Sequence, residues 1–220
     1  MKSRDRILKR LRAAAGSTKA ERVSSVPDSA VFADFPEDDL QARIDRFGEK
    51  LRALSGEFFC VENMADASKK LTDLLESVEK PLVQNTAFLQ EIVAQNPDLQ
   101  SRCEMSSENF VEGVALEKFD CGITEVDHLI ARTGSVVLNS KSAGGRRLSV
   151  LPPFHIAVAR ASQLIPSLEK AFTDLQENGE SWSYATVITG PSRTADIQKN
   201  LVLGAHGPKR LAVILVKSDF

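Results

Sequence analysis

The sequence has few of the residues from which proteins build disulfide frameworks and metal centres. Its 220 residues include three cysteines and three histidines. The cysteines are far apart and form no CxxC pair, and the histidines form neither an HxxxH nor an HExxH motif. This spacing argues against a disulfide framework, a metal site or an iron–sulfur cluster held by this chain alone. Reduced, partly buried thiols are the simplest interpretation, and a reactive Cys121 beside Asp120 and Gly122 is the alternative.

An excess of positive charge and a long hydrophobic run are also absent. Lys and Arg total 28 against 30 Asp and Glu, which leaves a net charge of -2 and argues against a dedicated nucleic-acid-binding protein. No apolar run approaches the roughly 18 residues of a membrane span. The first residues lack an apolar core followed by a cleavage site of small residues. We therefore expect a globular cytoplasmic protein with no membrane span.

The N-terminal part differs in charge and pattern from the rest of the chain. Residues 2–15 predict a basic amphipathic helix, which is either solvated or in contact with an acidic partner or anionic lipid. An acidic stretch with two prolines follows. From Leu40 to Leu54, apolar residues recur at helical spacing and predict a second helix with one buried face. We predict an N-terminal helix and acidic linker over residues 1–37 and an α/β domain over residues 38–220.

The rest of the chain alternates between short apolar runs and amphipathic segments. Such alternation favours parallel strands joined by crossover helices. The runs in the C-terminal half are nearly continuous, as in strands that are covered on both faces. The pattern predicts strands at 58–61, 81–83, 101–105, 135–138, 148–151, 155–159, 184–189 and 211–216, and helices at 65–78, 87–93 and 167–176.

One candidate binding segment, Gly190–Ile197, follows a predicted strand and has the pattern of a helix start. In open α/β sheets, ligands bind at the carboxyl ends of strands. Gly190 permits a sharp turn, and Ser192 and Thr194 can cap the helix, whose N–H groups would then face an anion. Arg193 could clamp a carboxylate or phosphate, and Asp196 suits the first turn. A capped helix with a surface arginine is the alternative.

A second candidate segment, Leu203–Pro208, places His206 and Gly207 in a sharp turn before the last predicted strand. His206 could act as an acid, a base or a hydrogen-bond donor, or it could simply stabilise a helix C-terminus. Neither this segment nor Gly190 begins a phosphate-binding P-loop, because the GxxxxGK[ST] pattern is absent.

A third candidate segment runs from Gly122 to Ser135 and predicts a strand, a turn, a helix, a turn and a strand. Asp127, Thr133 and Gly134 lie beside buried apolar runs. Asp127 could orient a ligand hydroxyl or act as a base, or it could cap the helix. Downstream, Arg146 lies in a basic glycine-containing loop, which is either an anion clamp or a solvated hairpin tip.

These segments resemble the LUD-domain family and, within it, the lactate utilization protein C group. The likeness is carried by TGPSRTADIQKNLVLGAHGPKRLAVILV (189–216), GITEVDHLIARTGSVVL (122–138) and GRRLSVLPPFHIAV (145–158). The chain departs from the family pattern at Val126, commonly Ala, and at Arg132, commonly Glu. A role of that acid therefore does not carry over to this chain.

The resemblance implies an open three-layer α/β sheet similar to the NagB/RpiA/CoA-transferase-like fold, here with an N-terminal helical arm. It also implies a role in converting L-lactate to pyruvate with two partner proteins that carry the iron–sulfur clusters, and no cofactor in this chain. We expect the chain to bind a small carboxylate or another anion, and it could form homo-oligomers. The alternatives are a free-standing CoA-transferase-like enzyme acting on a phosphorylated or thioester substrate, and a purely structural subunit.

Overall fold

A computed structural model of the chain describes residues 3–15, 39–106, 116–140, 147–177, 183–195, 201–203 and 207–218. Two compact units are present, Met1–Phe35 and Pro36–Phe220. The first contains helix α1 (Ser3–Ala15), and the second contains all the other elements. Its helices are α2 (Leu40–Ala53), α3 (Met64–Leu74), α4 (Ala87–Ala94), α5 (Pro97–Arg102), α6 (Arg147–Val150) and α7 (Leu168–Glu177). Its strands are β1 (Glu57–Val61), β2 (Pro81–Val83), β3 (Glu104–Met105), β4 (Cys121–Glu125), β5 (His128–Ile130), β6 (Ser135–Asn139), β7 (Phe154–Arg160), β8 (Leu164–Ile165), β9 (Ala185–Ile188), β10 (Arg193–Ala195), β11 (Leu201–Leu203) and β12 (Arg210–Val216).

The helices of the second unit begin at residues whose short polar side chains cap them. The Asp39 carboxylate accepts hydrogen bonds from the backbone of Gln41 and Ala42 at the start of α2. Asn63 caps α3, Thr86 caps α4, and Asn96 caps α5. Each cap satisfies a backbone N–H that has no partner within its helix, which fixes where these helices start.

Six parallel strands form the central sheet, in the order β1-β12-β7-β4-β2-β3. The side chains of alternate residues point to opposite faces of a sheet. One set, which includes Ile123, Ile156 and Ile214, packs with residues of α3, α4 and α5 into the main hydrophobic core. The other face carries α6, where Leu148 packs with Leu82, Leu116 and Phe119. This mixed α/β arrangement confirms the predicted three-layer class.

Helix α2 contacts both the central sheet and a smaller second sheet. Phe47 of α2 packs edge-to-face against Phe58 of β1, with ring centroids 5.1 Å apart. Arg43 of the same helix donates to the carbonyl oxygen of Leu164 in β8 at 2.7 Å. The second sheet has the order β8-β5-β6-β9, and helix α7 packs on it through Ala171 and Leu175. The pair β10–β11 is a separate antiparallel ribbon.

Several predicted elements are confirmed, and three are wrong. The predicted strand at 148–151 is replaced by helix α6 (Arg147–Val150), which places Leu148 over strands β2 and β4. No helix lies between β4 and β6, where strand β5 and a turn at 131–134 form a hairpin instead. Arg193–Ala195 is a strand paired with Leu201–Leu203, so no helix starts at this point. The predicted third strand is limited to Glu104–Met105, because α5 occupies the preceding residues.

Helix α1 is basic and amphipathic, as the sequence predicts. Ile7 and Leu11 are 55% and 61% exposed, and Arg4, Arg6, Lys9, Arg10 and Arg12 are also exposed. Within the described residues, no helix is long and apolar enough to cross a membrane.

Deletion of residues 1–37 is expected to leave the rest of the chain folded. The roughly 180 residues that remain are enough to form a hydrophobic core, and nearly all of the second unit is retained. Differential scanning calorimetry of the truncated and full chains would test this expectation. Loss of the cooperative unfolding transition after truncation would show that the core needs the N-terminal segment.

Candidate functional site

Seven polar and glycine residues surround the C-terminal end of helix α2, and we refer to them as the α2-end cluster. They are Thr133, Gly134, Ser135, Thr189, Gly190, Ser192 and Arg193. The turn at Gly134 lies against the backbone of α2, because a Cβ atom on this glycine would be 2.6 Å from the Leu51 nitrogen. A Cβ atom on Gly190 would be 3.0 Å from Leu54 Cβ. Both glycines have a positive φ, 67° and 90°. The structure therefore brings together residues from two of the three candidate segments, and Gly207 and Pro208 of the remaining segment contact Ser192.

Arg193 contacts the end of α2 directly. Its Nη2 atom donates to the carbonyl oxygen of Leu54, and also to Ser55 Oγ at 2.6 Å. Leu54 is the C-cap residue of α2, where exposed carbonyl groups carry partial negative charge. Arg193 therefore stabilises this helix end, and its Nε and Nη1 atoms have no hydrogen bond to the described part of the chain.

Three hydroxyl groups of the α2-end cluster form a hydrogen-bonded chain. Thr133 Oγ1 and Ser135 Oγ are 2.7 Å apart, and Ser135 Oγ lies 2.8 Å from Thr189 Oγ1. Ser192 and Gly207 also lie close together. The Ser192 nitrogen donates to the carbonyl oxygen of Pro208 at 2.9 Å, and a Cβ on Gly207 would lie 3.3 Å from Ser192 Cβ. The hydroxyls can donate to an anion or to one another, because each hydroxyl rotates to suit its partners.

The α2-end cluster lies at the amino edge of the central sheet. Arg193 contacts residues just before β1, and Gly207 and Pro208 lie just before β12. Of the candidate segments, Gly122–Ser135 includes the carboxyl end of β4 in the central sheet, whereas Gly190 follows β9 of the second sheet. Thr194 is in strand β10, away from any helix start. Arg146, Asp196 and His206 lie outside the described residues.

Asp127 is a connector between β4 and the second sheet. Its two carboxylate oxygens accept from the backbone nitrogen and from the side-chain amide of Asn139, both at 2.7 Å. Its own nitrogen donates to the Val137 carbonyl at 3.0 Å. Asp127 therefore orients strand β6. The alternative that Asp127 caps a helix is wrong, because no helix starts at this point.

The carboxyl ends of the central strands hold a second group of residues, which the sequence analysis missed. We refer to Gln84, Phe88, Glu125, Arg160 and Gln163 as the carboxyl-edge cluster. Arg160 pairs with Glu125, and its guanidinium lies over the Phe88 ring, 3.8 Å from the centroid. Each of the two is the single charged residue at the end of an apolar run, CGITE for Glu125 and FHIAVAR for Arg160. This pattern could have identified the pair from the sequence.

Two glutamines hold the backbone around this ion pair. Gln84 Oε1 accepts from the Glu125 nitrogen at 2.9 Å. Gln163 Oε1 accepts from the Arg160 nitrogen at 2.7 Å, and Gln163 Nε2 donates to the Val126 carbonyl at 2.5 Å. The side chains of Glu125 and Arg160 are 18% and 31% exposed, so solvent reaches both.

A buried histidine lies near the start of β7 in the central sheet. His155 is fully buried, and its Nε2 atom is 2.9 Å from Thr124 Oγ1. Burial lowers the pKa of His155 to about 3, so the ring is neutral at physiological pH. This histidine is a structural core residue rather than a proton donor.

Burial raises the pKa of all three cysteine thiols. Cys121 is buried, and burial is the main cause that raises its pKa. Burial likewise raises the pKa of Cys103 to about 11. The hypothesis of a reactive Cys121 is therefore wrong, because the nucleophilic species is the thiolate. Over the described ranges, no group of three or more His, Cys, Asp or Glu side chains could hold a metal ion.

Replacement of Arg193 by alanine is expected to lower the free energy of unfolding by about 1 kcal/mol. Two hydrogen bonds and a favourable charge at the end of α2 would be lost, and solvent exposure of the side chain limits their value. Lysine should restore only the charge, because it lacks the planar fork. Urea denaturation of the wild-type, Arg193→Ala and Arg193→Lys chains measures the three free energies of unfolding. An alanine variant as stable as the parent would contradict the bracing role.

Comparison with known proteins identifies relatives. The sequence model of the LUD domain family matches residues 44–216 of this chain. A protein of Halalkalibacterium halodurans named "Lactate utilization protein C" is 40% identical over 105 residues, which is 46% of this chain and 46% of that protein. "Lactate utilization protein C 1" of Bacillus mycoides is 42% identical over 102 residues, 44% of this chain and 43% of that protein. The alignments thus span a little under half the length of these relatives.

One solved structure has a similar fold. It is the crystal structure of a DUF162 family protein from Deinococcus radiodurans, which superposes with a TM-score of 0.57 over 81% of this chain and 98% of that chain. The superposition supports a shared three-layer α/β fold. Because the sequences are only 20% identical, it supports nothing more specific.

Proposed function

Because the chain belongs to the LUD domain family, we propose that it is a cytoplasmic component of a lactate utilization system. In this proposal it acts with two iron–sulfur partner proteins in the oxidation of L-lactate to pyruvate. The observation that carries the proposal is the stretch of 105 residues that is 40% identical to a relative named lactate utilization protein C. The clusters would reside on the partners, which suits a chain whose three cysteines form no cluster motif.

We also propose that the chain binds a small organic anion, such as the carboxylate of lactate. Arginine is the side chain best suited to a carboxylate, because its planar fork offers two parallel N–H donors. The α2-end cluster and the carboxyl-edge cluster each contain one partly exposed arginine beside hydrogen-bonding side chains. The α2-end residues selected from the sequence, together with Asp127, Arg146, Asp196 and His206, remain candidates for this role.

Growth on L-lactate as the carbon source tests the proposed function. A host strain without the gene should fail to grow on L-lactate, grow normally on pyruvate, and recover when the full chain is supplied. Anaerobic purification of the tagged chain should also recover iron-containing partner proteins, while the chain alone carries no iron. Normal growth of the deleted strain on L-lactate would contradict the proposal.

A further inference from the structure

The topology of the central sheet singles out one crevice between two strands. After β2 the chain passes to β3 by way of α4 and α5, which pack on the main core. After β4 it passes in the opposite direction along the sheet to β7, through the second sheet and α6. A crevice opens between the carboxyl ends of two adjacent strands whose connections leave in opposite directions, and open α/β sheets bind ligands there. In this fold the crevice lies between β2 and β4.

The carboxyl-edge cluster lines this crevice. Gln84 directly follows β2, Glu125 ends β4, and Arg160 ends the neighbouring strand β7. Glu125 and Arg160 share the face of the sheet that also carries Ile123 and Val158, so both point toward α4. Phe88 in the first turn of α4 supports the guanidinium plane from that side.

The ion pair uses one nitrogen of the Arg160 guanidinium and one oxygen of the Glu125 carboxylate. Arg160 uses Nη1 to contact Glu125 Oε1. Within the described chain, no hydrogen bond is made by Arg160 Nη2 or Nε, by Glu125 Oε2 or by Gln84 Nε2. The crevice therefore presents guanidinium donors, an amide donor and a carboxylate acceptor side by side.

We propose that this crevice is a binding site for a short α-hydroxycarboxylate, in which Arg160 and Gln84 bind the carboxylate and Glu125 accepts a hydrogen bond from the hydroxyl. An α-hydroxyl lies next to its carboxylate, so one small molecule reaches both partners of the ion pair. The aromatic support from Phe88 holds the guanidinium before the ligand arrives, which reduces the ordering that binding requires. This inference rests on the proposed function, which supplies lactate as a member of the ligand class.

Titration of the full chain with L-lactate and with propionate tests the site. Propionate has the carboxylate and lacks the hydroxyl. The wild-type chain should prefer L-lactate by about tenfold, the value of a hydrogen bond to a charged group. Arg160→Gln should weaken binding of both compounds by roughly tenfold to a hundredfold. Glu125→Gln should reduce the preference for L-lactate to about twofold or less, because a neutral amide accepts more weakly.

Arg46→Gln is the matched control, because it removes a partly exposed arginine that belongs to neither cluster. It should leave both affinities within about twofold of the wild-type values. NMR of the unmutated chain gives a second measurement in case Arg160→Gln does not fold. Addition of L-lactate should then shift the Arg160 side-chain Nε–H signal more than that of Arg193.

The outcomes separate the site from the proposed function. Shifts at Arg193, or an Arg160→Gln variant with wild-type affinity, would overturn the site and leave the proposed function standing. Absence of L-lactate binding by the wild-type chain would overturn the site and the proposed anion binding together. Binding at Arg160 without any growth defect of Arg160→Gln on L-lactate would establish the site and show that lactate utilization does not depend on it, while the growth of the deleted strain would still decide the proposed function.

Discussion

Replacement of Gly134 by alanine is expected to lower the free energy of unfolding by about 3–5 kcal/mol. The backbone of Gly134 has a φ of 67°, which costs a residue with a side chain free energy. A Cβ atom there would also be 2.6 Å from the Leu51 nitrogen and 2.9 Å from the Lys50 carbonyl carbon. These are backbone atoms of a helix whose Leu51 side chain is fully buried, so the helix cannot move away without disturbing the core. Urea-induced unfolding followed by circular dichroism measures the loss.

Gly207→Ala is the control for this prediction. Gly207 was also selected from the sequence as a candidate binding residue, but its Cβ would be 3.3 Å from Ser192 Cβ and 3.7 Å from Ser192 Oγ, which are side-chain rather than backbone atoms. We expect this variant to lie within about 1 kcal/mol of the parent. Equal stabilities of the two variants would contradict the close contact of the Gly134 turn with helix α2.

The buried strands of the central sheet could be predicted because their apolar runs are nearly continuous. Phe154–Arg160 and Arg210–Val216 lie inside the sheet and bury both faces, so almost every position is apolar. The amphipathic helices α2 and α7 were equally clear, because their apolar residues recur at helical spacing. Sequence alone therefore predicted the class of fold and most of its elements.

Short segments could not be predicted, because tertiary contacts decide their conformation. Leu148–Leu151 is a run of four residues, three of them apolar, which fits one helical turn as well as a strand. The segment after Gly190 has the residue types of a helix start, but Arg193 is held by the end of α2, and its strand pairs with Leu201–Leu203. Pairing with a partner strand outweighs a local preference for a helix.

The candidate sites show the same limit. The sequence indicates a sharp turn at Gly190 but assigns Gly134 no backbone role. Both glycines approach helix α2, which lies more than 75 residues away in the sequence. Glu125 and Arg160 were missed because each looks like an ordinary charged residue at the end of a strand. Only the strand order places them in adjacent strands beside the crevice.

Acid is expected to destabilise the fold through His155. The unfolded chain binds a proton at this histidine near its ordinary pKa of 6.5, whereas burial lowers the folded-state pKa to about 3. Between these values the unfolded state binds more protons, so stability falls as the pH falls, by up to about 1.4 kcal/mol for each pH unit. A drop from about pH 7 to about pH 4.5 should cost roughly 2–3 kcal/mol from this group. Urea denaturation at several pH values measures the slope.

His155→Asn isolates this contribution, because asparagine does not titrate and its side-chain amide can still hydrogen-bond to Thr124. The variant has its own stability at neutral pH, so the informative quantity is how the difference between the two proteins changes with pH. Acidic groups titrate in both proteins and cancel in that difference. His128→Asn is the second control: burial lowers the pKa of His128, but the nearby Asp174 and Asp127 raise it, so its slope should be smaller. Parallel pH profiles of the wild-type and His155→Asn chains would mean that His155 is not buried as a neutral ring.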